Sequence, residues 1–148
     1  MNIRKLSEGL YIAPQLTQTD AADAAKLGIR SVICNRPDGE TGDQPAFSQV
    51  QQWLAEAGIT HTIHQPVVAP AINRQDVSRF QTLLNQAEKP VLAYCRTGTR
   101  CSLLWAYHQV QNGLSVAEAV TAAKQAGVDL ANFEQRLQEA AANGLPDK

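Results

Sequence analysis

The residues best equipped for chemistry stand together: Cys95, Arg96, Thr97, Gly98, Thr99 and Arg100. They follow a short apolar run and lead into an apolar helical stretch. A thiol at such a junction sits where loop N–H groups and a helix N-terminus favour negative charge, whether on a bound anion or on the sulfur. Thiols so placed have pKa values lowered to roughly 3.5–7.5 from about 8.5. Arg100 offers a planar fork suited to a pair of oxygens on phosphate, sulfate or thiosulfate. Gly98 permits the tight backbone of a cradle. Thr97 and Thr99 bring hydroxyl donors, and Arg96 points either to substrate or to solvent. The expectation is a nucleophilic Cys95, an anion clamp at Arg100 and a binding loop over 96–100. The competing reading is a buried structural cysteine at an ordinary turn. The company of glycine and arginine favours the chemical reading.

Such a loop needs a scaffold, and the pattern supplies strands alternating with helices. Short apolar runs at 10–13, 29–35 and 89–94 read as strands, and 60–66 alternates like one. Thr19 or Asp20 is expected to cap a helix ending before Gly28. Pro45 suits the first turn of a helix to about residue 57. Asn73 caps 74–86, with Val77, Phe80, Leu83 and Leu84 on one face. A helix follows the Cys95 loop to about residue 111. Ser115 and Glu118 form a capping-box pattern opening the next, and 132–142 is the last. The tail from 144 reads as a frayed end. This alternation predicts an α/β sheet covered on both faces, with ligands at the carboxyl ends of its strands. The 35–43 loop and Cys95 both follow strands and are expected on one edge.

The 148 residues, 44% hydrophobic and 18% charged, are read as one globular domain over 1–148. The net charge of −1 carries no block of like charge, so neither a non-specific nucleic-acid binder nor a membrane-surface protein is expected. Three cysteines, an odd and sparse set, do not read as a disulfide framework. With no leader-like or membrane-length apolar run, the expectation is a reduced cytoplasmic protein.

Residues 94–100 resemble the active-site loop of the phosphatase-like domain family of the beta-lactamase hydrolase-like protein. Further pieces agree at 9–15, 31–40, 42–45 and 90–94, and the likeness extends over roughly residues 2–112. It implies a dual-specificity-phosphatase-like fold: a central mostly parallel sheet flanked by helices, with a helical C-terminal half. It also implies a Cys95 nucleophile that forms a thiophosphate intermediate, Arg100 on the phosphoryl oxygens and N–H groups of 96–100 around them. The substrate would be a phosphorylated protein or a small phosphoester, and no cofactor is expected.

The sequence departs from that pattern twice. Only four residues separate Cys95 from Arg100, where phosphatases of this kind hold five. Four is the rhodanese spacing, which implies a Cys95 persulfide and a sulfane-sulfur donor. The segment 67–73, where the leaving-group acid would fall, has no Asp or Glu. Asp38, Glu40 and Asp43 are the substitutes, with Asp38 and Asp43 taken as candidate acids and solvated turn carboxylates as the common alternative. A non-catalytic anion-binding or thiol-sensing module is the third reading.

Other residues are weighed against ordinary roles. Cys34 reads as a small buried hydrophobe, with a protective disulfide to Cys95 as its functional alternative. Cys101 stands where related loops hold Ser, and is either a weaker donor or a resolving thiol. His61 and His64 lack an obvious third ligand, so no metal site is expected. Arg36 is equally a pocket residue or a solvated loop charge.

Overall fold

A computed structural model describes residues 2–69 and 71–147. Five strands form one sheet in the order β1-β2-β5-β3-β4: β1 (Arg4–Ser7), β2 (Leu10–Ala13), β3 (Ser31–Cys34), β4 (His61–His64) and β5 (Val91–Tyr94). β2, β5, β3 and β4 run parallel, and β1 is antiparallel at the edge. The register is level. Tyr94 pairs with Ala13 on one side and Cys34 on the other, and Cys34 pairs with His64. All four parallel strands therefore end on one line.

Helices cover both faces, as the alternation of strand and helix predicts. On one face α1 (Gln18–Lys26) and α2 (Phe47–Glu56) pack Ala21, Ala24, Val50 and Leu54 against Val32, Cys34, Leu92 and Tyr94. On the other, α3 (Arg74–Gln86), α4 (Thr99–Gln111), α5 (Val116–Gln125) and α6 (Glu134–Asn143) build the larger core. Ile33, Val91, Ala93 and Cys95 face that core. Neighbours along β5 thus alternate between two interiors, as the pleat requires. α4 has eight buried residues of 13 and is packed against α3, α5 and α6, which explains the unbroken apolar run 103–107 at its centre.

Asn73 and Ser115 cap α3 and α5 as expected, each with a full capping box. α1 differs, because its cap is Thr17 rather than Thr19 or Asp20. Thr17 Oγ1 accepts from the Asp20 N–H at 3.2 Å, and Asp20 Oδ2 accepts from the Thr17 N–H at 2.9 Å. Asp20 is thus the third helical residue of a box and not the cap. α2 starts at Phe47, two residues after Pro45, and its Ala46 cap has no acceptor side chain. Asp38 supplies one from nine residues upstream, its Oδ1 accepting the Phe47 N–H at 2.8 Å.

β1 has no counterpart in the sequence reading, because its Arg-Lys-Leu-Ser has too few apolar residues to show alternation. The last helix opens later than expected, after a 3₁₀ turn at Ala131–Phe133. The tail does not fray through residue 147. Leu145 is buried, the Arg74 N–H donates to the Pro146 carbonyl at 2.9 Å, and Arg74 pairs with Asp147 at 3.2 Å. Lys148 lies outside the described residues.

Candidate active site

Cys95 is the first residue past β5, and Gly98 is the N-cap of α4. The loop between them is short because Gly98 takes φ +87°, a left-handed conformation that L side chains adopt only at a cost. A methyl group on Gly98 would also meet Val128 at 3.2 Å. Held in this way, the Gly98 N–H donates to Cys95 Sγ at 3.1 Å. Ser102, one turn into α4, pins the loop from the other side, its Oγ donating to the Gly98 carbonyl at 2.9 Å.

The sulfur is fully buried yet its pKa is lowered to about 6. The Cys101 thiol contributes most, through its hydrogen bond to Cys95. Burial opposes the shift, while the backbone N–H groups of Cys101 and Arg100 and the charge of Arg100 add to it. Cys101, itself buried, is pushed well above the ordinary thiol value by burial and by its bond to Cys95. Cys34 is raised to about 11, chiefly by burial, and its thiol donates to the Arg36 carbonyl at 3.4 Å. The three thiols thus divide sharply, with only Cys95 favouring the anion near neutral pH.

Arg100 reaches across to the loop after β3. Its Nη1 donates to Glu40 Oε2 at 2.7 Å and its Nη2 to Glu40 Oε1 at 2.9 Å, while Nη1 also donates to the Val67 carbonyl at 3.1 Å. Arg36 is buried rather than solvated and completes the cluster: Nε to Glu40 Oε1 at 3.0 Å, Nη1 to Gln15 Oε1 at 2.9 Å, Nη2 to Thr41 Oγ1 at 3.3 Å. His64 has a structural place, its Nε2 bonded to the Arg36 carbonyl at 2.8 Å and its ring stacked on Phe47 at 4.7 Å. His61 is exposed.

The sheet brings the 35–44 loop and the Cys95 loop to one edge. The candidate acids on the former have other partners: Asp38 holds the Phe47 N–H, and Asp43 Oδ1 accepts the Thr41 hydroxyl at 2.9 Å. That hydroxyl is the main cause of the lowered Asp43 pKa. Glu40 is lowered to about 2, first by its hydrogen bond from Arg100, and is a carboxylate at neutral pH. Thr97 and Thr99 bond each other at 2.9 Å, and Arg96 is exposed. The Glu40–Arg100 pair has no signature in spacing, since 60 residues separate the partners.

A family model for the beta-lactamase hydrolase-like protein, phosphatase-like domain, matches residues 2–112. The chain belongs to this family. Over 131 residues it is 34% identical to the beta-lactamase hydrolase-like protein of Xylella fastidiosa, a match covering 88% of this chain and 30% of that one. The chain thus spans under a third of that relative's length. A crystal structure of a Neisseria meningitidis protein, named as a candidate phosphatase, superposes with TM-score 0.93 at 55% identity, covering 95% of this chain and 99% of that one. The core catalytic domain of the yeast PP-IP phosphatase SIW14 gives TM-score 0.71 at 16% identity, covering 100% and 96%. This phosphatase-like domain therefore has the dual-specificity and tyrosine phosphatase fold that the sequence resemblance implies. No helix among the described residues is long and apolar enough to cross a membrane.

Proposed function

We propose that this phosphatase-like domain is a cysteine-dependent phosphatase that hydrolyses phosphate monoesters. The observation that carries the reading is the placement of Cys95, whose Sγ accepts the Gly98 N–H at 3.1 Å and whose pKa is lowered to about 6, directly before the first turn of α4 that bears the Arg100 fork. Cys95 attacks phosphorus and forms an S–P bond as the ester oxygen departs, and water then cleaves that bond to release inorganic phosphate. Arg100 and the N–H groups of 96–100 bind the non-bridging oxygens, where negative charge grows in the transition state. Both candidate acids are engaged, Asp38 at the start of α2 and Asp43 by the Thr41 hydroxyl, which lowers its pKa and keeps it ionised at neutral pH, so the departing oxygen takes its proton from solvent. The substrate is a phosphorylated protein or a small phosphoester. The Neisseria relative, at 55% identity, supports a phosphatase reading.

Turnover of an aryl phosphate by the purified chain tests this. Cys95→Ser is expected to lower the rate by about three orders of magnitude, and Arg100→Ala by about 10²-fold or more. Undiminished turnover by Cys95→Ser would remove the nucleophile assignment.

The four-residue spacing and an ionised Glu40 favour a second reading, sulfur transfer. Cys95 would take the outer sulfur of thiosulfate, releasing sulfite, and pass it from the persulfide to cyanide as thiocyanate. That route needs no leaving-group acid. Thiocyanate formation dependent on Cys95, without aryl phosphate turnover, would select it over phosphoryl transfer.

A further inference from the structure

The fork of Arg100 already holds an anion, and the chain itself supplies it. Glu40 presents both carboxylate oxygens to Nη1 and Nη2 at 2.7 and 2.9 Å, the side-by-side geometry in which a phosphate or sulfate would offer two of its own. Glu40 Oε1 has a second donor, Arg36 Nε at 3.0 Å. Arg36 is 4% exposed and its two terminal nitrogens are held by Gln15 and Thr41. The backbone of Glu40 is fixed as well, its N–H donating to Gln44 Oε1 at 3.0 Å. The Glu40 carboxylate thus lies between a buried guanidinium with three partners and Arg100, whose Nη1 also donates to the Val67 carbonyl at 3.1 Å. Cys95 is 0% exposed in this arrangement, so no substrate atom reaches its sulfur without local rearrangement.

We propose that Glu40 is an internal competitor for the oxyanion site. It occupies the Arg100 fork at rest, yields it to an incoming tetrahedral anion, and stays on Arg36 while that anion is bound. The inference rests on reading 95–100 as an anion-binding loop. A competitor of this kind divides the intrinsic affinity of every anion by the same factor, because each binds only the fraction of molecules in which the fork is open. It therefore sets a threshold rather than a preference. An anion bound only through the loop, such as inorganic phosphate, is held weakly and leaves readily. A substrate with contacts beyond the loop overcomes the same factor with them. Glu40 in this role is a positioning and affinity-setting residue, distinct from a proton donor.

Calorimetric titration of the full chain with inorganic phosphate and, separately, inorganic sulfate tests the proposal. Glu40→Gln removes the charge and keeps the size, and is expected to tighten both anions by a common factor of about tenfold or more. Glu40→Asp, one methylene shorter, holds the fork less well and is expected to give a smaller gain of the same sign. It decides the matter if a thermal melt shows Glu40→Gln unfolded. Unchanged or weaker binding in the folded variant, with the wild type still binding, would overturn the competitor and leave the anion loop standing. Glu40 would then only hold Arg100 in place. Tightening of one anion alone would also overturn it. Failure of both anions to bind any variant would bring down the inference and the anion-loop reading together.

Discussion

At the scale of single residues, the site depends on a division of labour among three buried thiols. Cys95 is low chiefly because Cys101 donates to it, and Cys101 is high first because it is buried and then because of that same bond. The thiolate absorbance of the native chain is therefore expected to rise through a midpoint near pH 6, with amplitude for one sulfur. The sign follows from the direction of the shift: below the midpoint Cys95 is a neutral thiol, and above it the nucleophilic anion. Cys101→Ala removes the largest stabilising contact and moves the midpoint upward toward an ordinary thiol. Cys101→Ser restores a donor and moves it back. A midpoint that ignores Cys101 would show that loop N–H groups and Arg100 suffice. Cys34 packs in the core on one face of the sheet and Cys95 in the core on the other.

At the scale of elements, the turn at Gly98 is the most demanding piece of backbone in the site. Gly98→Ala is expected to destabilise the fold by about 1–2 kcal/mol through the left-handed conformation alone, with the 3.2 Å approach to Val128 adding to it. Urea unfolding measures the loss. Phosphate binding should weaken in the same variant, because the Gly98 N–H shifts with the loop. Asn73→Ala removes the capping box of α3 and is expected to cost about 1 kcal/mol in the same measurement, with the Cys95 midpoint unchanged.

These elements also show what the sequence could and could not reveal. Asn73–Asp76 and Ser115–Glu118 are local signals, complete within four residues, and both are legible. Thr17–Asp20 is the same signal, obscured by hydroxyl and carboxylate neighbours at 19 and 20 that also suit a cap. The Cys95 loop is legible because its cysteine, its glycine and its arginine fall within one short stretch, residues 95–100. Glu40 is not, because its meeting with Arg100 depends on β3 and β5 being neighbours, a fact of sheet order that no local pattern carries. Asp38 is misleading for a related reason: its partner is the first N–H of a helix nine residues away, so a carboxylate that looks free for chemistry is engaged in structure.

At the scale of the whole molecule, two cores share one sheet, and the larger contains both Cys95 and the packing of α6 and the tail. Leu145, 5% exposed, closes that core beside α3. Leu145→Ala is expected to lower stability by about 2 kcal/mol or more, read as a reduced urea midpoint with an unchanged slope. A change within a few tenths would mean that the tail rests on the core without contributing to it.

The level ends of the four parallel strands bear on how such a site can diverge. Ala13, Tyr94, Cys34 and His64 form a ledge of uniform height, and the loops after them rise from it as walls around a fixed floor. Lengthening or shortening a wall alters how far a substrate must reach down to the sulfur, while the strand that carries the sulfur stays where it is. Depth of reach and reactivity at the bottom are therefore separate variables in this architecture. One can be retuned by trading residues in the 35–44 loop, and the other is inherited intact with β5 and its turn.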